Sequence, residues 1–218
     1  MTNLNELSDK AKLVLEAATR VFLAHGFSAA TTDMIQRDSG VSKSTMYLAF
    51  PTKEAMFAAV IEHQCAQMAA TMAAIGPDAG DVETILTGLG RAYLSFVLSP
   101  PGLAVYRVVI AEAPRFPELS RLFYLAGPRK VTVVVAEHLA RAAANGEIDV
   151  QSVGFEAAAS LFISLIRGEA QMEFLAHPSA NPSSAQIDHW VSIAVSTFMR
   201  SFAVNQAEVR VRSRAVGA

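Results

Sequence analysis

A single cysteine, Cys65, stands in 218 residues, which excludes an internal disulfide and a multi-thiolate metal site within the chain. It falls in an Ala- and Met-rich helix-forming stretch, where a buried structural thiol is the common state and a reactive one the exception. Charge is scarce as well: 17% of residues are charged against 52% hydrophobic, and the net charge is −2. The first 60 residues balance six Lys or Arg against six Asp or Glu. No bulk positive charge therefore points to nucleic acid, and such a reading must rest on where single cations sit. Long apolar runs are missing despite a mean hydropathy of +0.31. The longest, AAASLFISLI, is closed by Glu156 and Arg167, too short to span a bilayer, so no membrane partner is expected. The N-terminal MTNLNELSDKAK has none of the basic, then apolar, then small-residue order of a secretory signal, so a cytoplasmic location is expected.

Histidine offers no site either. His25, His63, His138, His177 and His189 are scattered, and only Glu173 and His177 share a helical face at four-residue spacing. That is too little for a metal, and no nucleophile motif accompanies them. The chain is expected not to be an enzyme, and no metal, catalytic residue or cofactor is expected.

What the chain does contain is helix. Ala, Leu, Val, Phe and Met dominate while β-branched runs are scarce, so the expected fold class is all-α. A first helix is expected over residues 8–25 from the spacing of Leu13, Ala17, Val21 and Ala24, with Ala18 and Phe22 beside them. It stops at Gly26, and Phe27 folds back near Phe22. Thr31 caps a short second helix with Asp33 in its first turn, and Gly40 ends it. Ser42 caps a third, with Val41 before the cap spaced to pack on Met46, and Pro51 stops it after Phe50. A fourth starts at Thr52 and runs toward residue 74, before the break GPDAGD.

Five further helices are expected over about residues 82–98, 102–113, 117–145, 152–176 and 183–206, separated by SPPG, PRFP, NGEIDVQ and HPSANPSS. The expected domains are a helix-turn-helix region over 1–55, a connecting helix over about 53–75, a larger helical domain over 76–207, and a flexible tail over 208–218 carrying Arg210, Arg212 and Arg214.

The segment SGVSKSTMYLAFPTKEAMF holds two short capped helices with too few apolar positions for a core of their own. Two short helices on a glycine turn, leaning on a longer first one, form a helix-turn-helix whose second helix fits the major groove. With Met46 and Phe50 turned inward, Lys43, Ser44, Thr45, Tyr47 and Leu48 face out, a set suited to phosphates and base edges. Thr32 and Lys53 begin the neighbouring helices and can converge on phosphates from either side. A capped hairpin with a merely solvated face fits the spacing equally well.

The run AATRVFLAHGFSAATTDMIQRDSGVSKSTMYLAFPTKEAMF closely resembles the DNA-binding domain of the TetR family of transcriptional regulators. The resemblance lies in Ala18, Phe22, Gly26-Phe27, Thr31-Thr32, Ile35, Gly40-Val41-Ser42, Thr45, Tyr47, Phe50, Lys53 and Phe57. It implies groove contacts from Lys43, Ser44 and Thr45 and phosphate contacts from Thr32, Thr45, Tyr47 and Lys53. Leu48-Ala49 departs from the family's usual His or Tyr, which removes one phosphate contact or places Leu48 on a thymine methyl.

VYRVVIAEAPRFPELSRLFYLAGPRKVTVVVAEHL is similar to the C-terminal region of the AefR-like branch, most recognisably at EAPRFPEL and Gly127-Pro128. That resemblance implies an effector-binding and dimerisation domain, hence a homodimer, a palindromic double-stranded DNA operator and repression relieved by a small, mainly apolar effector. Candidate pocket residues are Phe96, Tyr106, Phe123, Tyr124, Phe162, Arg167 and Gln171, against the ordinary alternatives of core packing for the rings and ion pairs with Glu112, Glu169 or Glu173 for the polar groups. The last two long helices can form a symmetric four-helix interface, with Gly168, Trp190, Phe198 and Phe202 as candidate contacts. A helical small-molecule-binding protein without DNA binding is the rival reading, and a salt-dependent DNA shift assay separates the two.

Overall fold

The computed structural model describes residues 8–76, 79–177 and 179–204. Among them the chain is all-α: α1 Asp9–Ala29, α2 Thr32–Ser39, α3 Lys43–Ala49, α4 Lys53–Ala73, α5 Val82–Val97, α6 Pro100–Glu112, α7 Pro117–Ala126, α8 Pro128–Ala144, α9 Phe155–Ala176 and α10 Ser184–Phe202. The helices gather into two compact units. One holds α1 to α3, most of α4, α6 and α7; the other holds α5, α8, α9 and α10. No single helix among the described residues is long and apolar enough to cross a membrane. The expected tail, 208–218, lies outside the described residues.

In the first unit α1 is capped by Ser8, whose Oγ accepts from the Ala11 N–H. Its inward face is Val14, Leu15, Ala17, Ala18, Val21 and Phe22. The stripe is rotated from the expected one: Leu13 is 49% exposed and Ala24 faces out. At Gly26 the backbone takes φ 75°, ψ 169°, a conformation almost confined to glycine. One more turn follows to Ala29, and the Phe27 ring returns to 5.7 Å from Phe22 and 5.1 Å from Phe57. These three rings join Ile35, Met46, Met56 and Ile61 in one core, against which Val105, Val108 and Val109 of α6 also pack.

Two separators behave differently from expectation. SPPG does not delay α6 to residue 102: Ser99 caps it, accepting from the Gly102 N–H at 3.2 Å, and the prolines occupy the first helical positions, where a missing N–H breaks no bond. The expected helix over 117–145 is two, α7 and α8. Gly127 and Pro128 divide it, and a side chain at Gly127 would come within 3.0 Å of Cys65 Sγ. Cys65 is buried there, and burial pushes its thiol up to about 11, so it is protonated at neutral pH.

In the second unit α9 and α10 pack antiparallel. Phe162 meets Phe198 edge-on at 5.4 Å, and Phe174 meets Trp190 edge-on at 5.9 Å. A capping box at Ser183 and Gln186 starts α10. Its end is tied to the loop after α8: Asp149 N–H donates to the Phe202 carbonyl at 2.8 Å and Val204 N–H to that of Glu147 at 3.0 Å.

His138 of α8 is buried, and its Nδ1 has no partner. Burial, and then the Arg141 charge, lower its pKa, with Glu137 opposing. The folded state therefore disfavours the charged ring. Unfolded histidine titrates near 6.5, so between about 6.5 and the lowered folded value the unfolded chain binds more protons, and stability is lost as pH falls through that window. His63, also pushed down by burial, contributes with the same sign. Melting temperature should drop from pH 7 to pH 5, and less steeply in His138→Gln; identical slopes in thermal melts of the two proteins would contradict this.

Candidate nucleic-acid interface

The turn between α2 and α3 is set by local chemistry. Thr31 Oγ1 accepts from Met34 N–H at 3.2 Å and Ser42 Oγ from Thr45 N–H at 3.3 Å. Gly40 between them is left-handed at φ 66°, ψ 6°, as the turn requires. Gln36 Nε2 donates across it to the Val41 carbonyl at 3.1 Å. Behind α3, Met46 and Phe50 are buried, so the helix is anchored by one side only.

The other side carries the expected residues. Lys43, Ser44, Tyr47 and Leu48 are exposed and Thr45 is half-buried; Leu48 is 85% exposed. Ser42 Oγ lies 3.0 Å from Ser44 Oγ and 2.9 Å from Thr45 Oγ1, a compact row of hydroxyls at the start of α3. Tyr47 OH donates to Thr32 Oγ1 at 2.9 Å, which brings two residues 15 positions apart to one spot. Lys53 donates to the Ser28 carbonyl at 3.4 Å, with its ammonium 4.5 Å from the centre of the Phe27 ring.

Sequence reasoning missed one feature of this face. Lys43 Nζ forms an ion pair with Asp33 Oδ1 at 2.6 Å. The Lys43 hydrogen bond and charge hold the Asp33 carboxyl below its usual range, and Asp33 in turn raises Lys43. Asp33 was legible only as a dipole-favoured residue in the first turn of α2; its reach across the turn has no signal in the spacing. Arg20 is likewise engaged, by Asp38 at 2.9 Å. One anchored face of cations, hydroxyls, an aromatic hydroxyl and an exposed Leu is chemistry for phosphates and base edges.

The comparisons decide the family. The C-terminal domain of AefR-like transcriptional repressors matches residues 84–204, and the bacterial regulatory proteins of the tetR family match residues 14–60. The chain belongs to the TetR family. It is a DNA-binding transcriptional regulator, in a family of regulators rather than enzymes.

The solved structure of the flavonoid-responsive regulator FrrA is 31% identical to this TetR-family chain, over 89% of it and 97% of FrrA, with a TM-score of 0.73. A TetR-family regulator from Mesorhizobium loti shares the fold at a TM-score of 0.81 and 24% identity, over 89% of this chain and 97% of that one. An uncharacterized HTH-type transcriptional regulator, YhgD of Bacillus subtilis, is 43% identical over 49 residues. That match spans 22% of this chain and 26% of YhgD.

The remaining candidates of this regulator fall in different places. Tyr106 and Phe123 meet edge-on in the first unit at 6.3 Å, Phe96 is half-buried and Tyr124 is 56% exposed. Phe162 and Gln171 are buried in the second unit, and Arg167 is half-buried. Of the residues considered for an interface, Gly168 is exposed with open space over its Cα. Trp190 is half-buried against Phe174. Phe198 is buried between Phe162 and Phe202, inside its own chain.

Proposed function

We propose that this regulator is a homodimeric repressor that occupies a roughly palindromic operator in the cytoplasm and leaves it when a small, mainly apolar ligand binds the helical region beyond α4. The observation that carries the reading is the anchored α3 with its outward Lys43, Ser44, Tyr47 and Leu48. A helix of seven residues is about 10 Å long and reaches too few bases for useful specificity alone, so two copies on a twofold site are needed.

A second set of residues supports the dimer. Leu161, Leu165 and Met172 on α9 and Ile193 on α10 are all exposed. On α9 they fall with Gly168 at four-, three- and four-residue steps, one face of a helix. An apolar stripe on α9 with an exposed Ile193 on the adjacent α10 fits an isologous four-helix contact. For the ligand, the support is the likeness to FrrA, a flavonoid-responsive protein, which makes planar aromatic compounds the first probes. A ligand releases DNA only by binding the two states unequally, and a tenfold effect needs about 1.4 kcal/mol of coupling.

The test is affinity for a genomic fragment selected by the protein and for a random-sequence duplex, at several salt concentrations. Lys53→Ala should weaken both alike and lower the salt slope by about one unit for each phosphate no longer neutralised. Lys43→Ala should cost about 1–3 kcal/mol on the selected fragment and less on random DNA. Tyr47→Phe, without the hydroxyl now held by Thr32, should weaken both modestly. Unchanged affinity in all three would remove DNA from this face.

A further inference from the structure

We infer that Glu112, Arg115 and Phe116, at the corner between α6 and α7, are positioning residues for Lys53. They hold the place where its ammonium rests. The inference depends on Lys53 being a phosphate contact, as proposed above.

Ser28 is gripped at each of its polar atoms. Its N–H donates to Glu112 Oε1 at 2.9 Å, its Oγ accepts from Arg115 at 2.9 Å, and its carbonyl accepts from Lys53 at 3.4 Å. Beside it, the Phe27 ring supports the same ammonium at 4.5 Å. That ring is itself backed edge-on by Phe116 at 4.7 Å, over which the Arg115 guanidinium sits at 5.7 Å. Ser28 and Phe27 thus form a cradle for Lys53 on one side and are held from the other by a segment more than eighty residues away in sequence.

The backbone explains why Ser28 needs an outside acceptor. Gly26 breaks the helical path, so the Ser28 N–H lies in the opening turn of the segment that follows, where a helical N–H has no carbonyl of its own helix to donate to. Water could satisfy an exposed N–H. A carboxylate on α6 instead also fixes where the turn lies. Lysine carries a long flexible stem, and confining it before DNA arrives lowers the ordering cost of its phosphate contact.

A purely structural clasp would stabilise the unit without touching the electrostatics of DNA binding, and this separates the two roles. The experiment is a double-mutant cycle of Glu112→Ala and Lys53→Ala in the full chain, read as affinity for a random-sequence duplex across a salt series. Glu112→Ala should weaken binding about three- to tenfold and flatten the salt slope, and should change little once Lys53 is already Ala. Glu112→Gln, which keeps the acceptor oxygen, should restore affinity and slope toward wild type, and it carries the test if Glu112→Ala fails to fold. Additive effects with an unaltered slope would overturn the positioning role while leaving Lys53 on DNA. No effect of Lys53→Ala by itself would take down the contact and its positioning together.

Discussion

Met172→Glu is expected to convert the proposed dimer to a monomer that still folds and to weaken binding to the proposed operator by at least about a hundredfold. Met172 is 66% exposed, more than Leu161 or Leu165, so its replacement leaves no hole in the chain that carries it. In a twofold contact the same surface is used on both subunits, so one substitution buries two carboxylates without partners. Separated protomers then forfeit the effective concentration that links two half-sites, commonly a factor of 10² to 10⁴. Sedimentation at micromolar protein, a melt and a shift assay measure the three parts. A dimer that persists would exclude this face as the contact. Phe198 is unsuited to the same experiment, because a charge at a side chain 1% exposed would report on folding.

Phe57→Ala should destabilise the DNA-binding unit by about 3–5 kcal/mol, as large-to-small changes at buried aromatics do. The ring is fully buried, 5.0 Å from Phe22 and 5.1 Å from Phe27. Removing it opens a cavity between α1 and α4 and also loosens the ring that supports Lys53. The melting midpoint should fall by roughly 10 °C, and DNA affinity with it. A variant that melts within about 2 °C of wild type would show that neighbouring Met56 and Ile61 collapse into the space, which close packing makes difficult.

The helices of the first unit were legible where a few adjacent residues decide the outcome. Thr31, Gly40 and Ser42 each carry a cap or turn written in their own chemistry, and the polar outer face of α3 follows once Met46 and Phe50 turn inward. Features that depend on distant partners were not legible. Lys43 meets Asp33 across the turn, and Ser28 meets Glu112 across 84 positions; neither spacing is a helical period. The EAPRFPEL motif was recognised, yet its contact with the α1 terminus needed the fold. Some misreadings were local. Proline in SPPG and at Pro128 opens a helix instead of merely interrupting one, and the apolar stripe of α1 has enough Ala and Leu on every side to permit a wrong phase.

Because Met46 is the only fully buried residue within α3 itself, the letters on its outer surface are nearly independent of whether the protein folds. If α3 reads DNA as proposed, a gene copy can accumulate changes at Lys43, Ser44, Tyr47 and Leu48 without losing the scaffold, and so drift toward a new target in single steps. Surface substitutions away from caps and cores commonly stay within about 0.5 kcal/mol. Retargeting is then limited by the choice of contacts rather than by folding, and the same freedom is open to an engineer who leaves Ser42, Met46 and Phe50 in place.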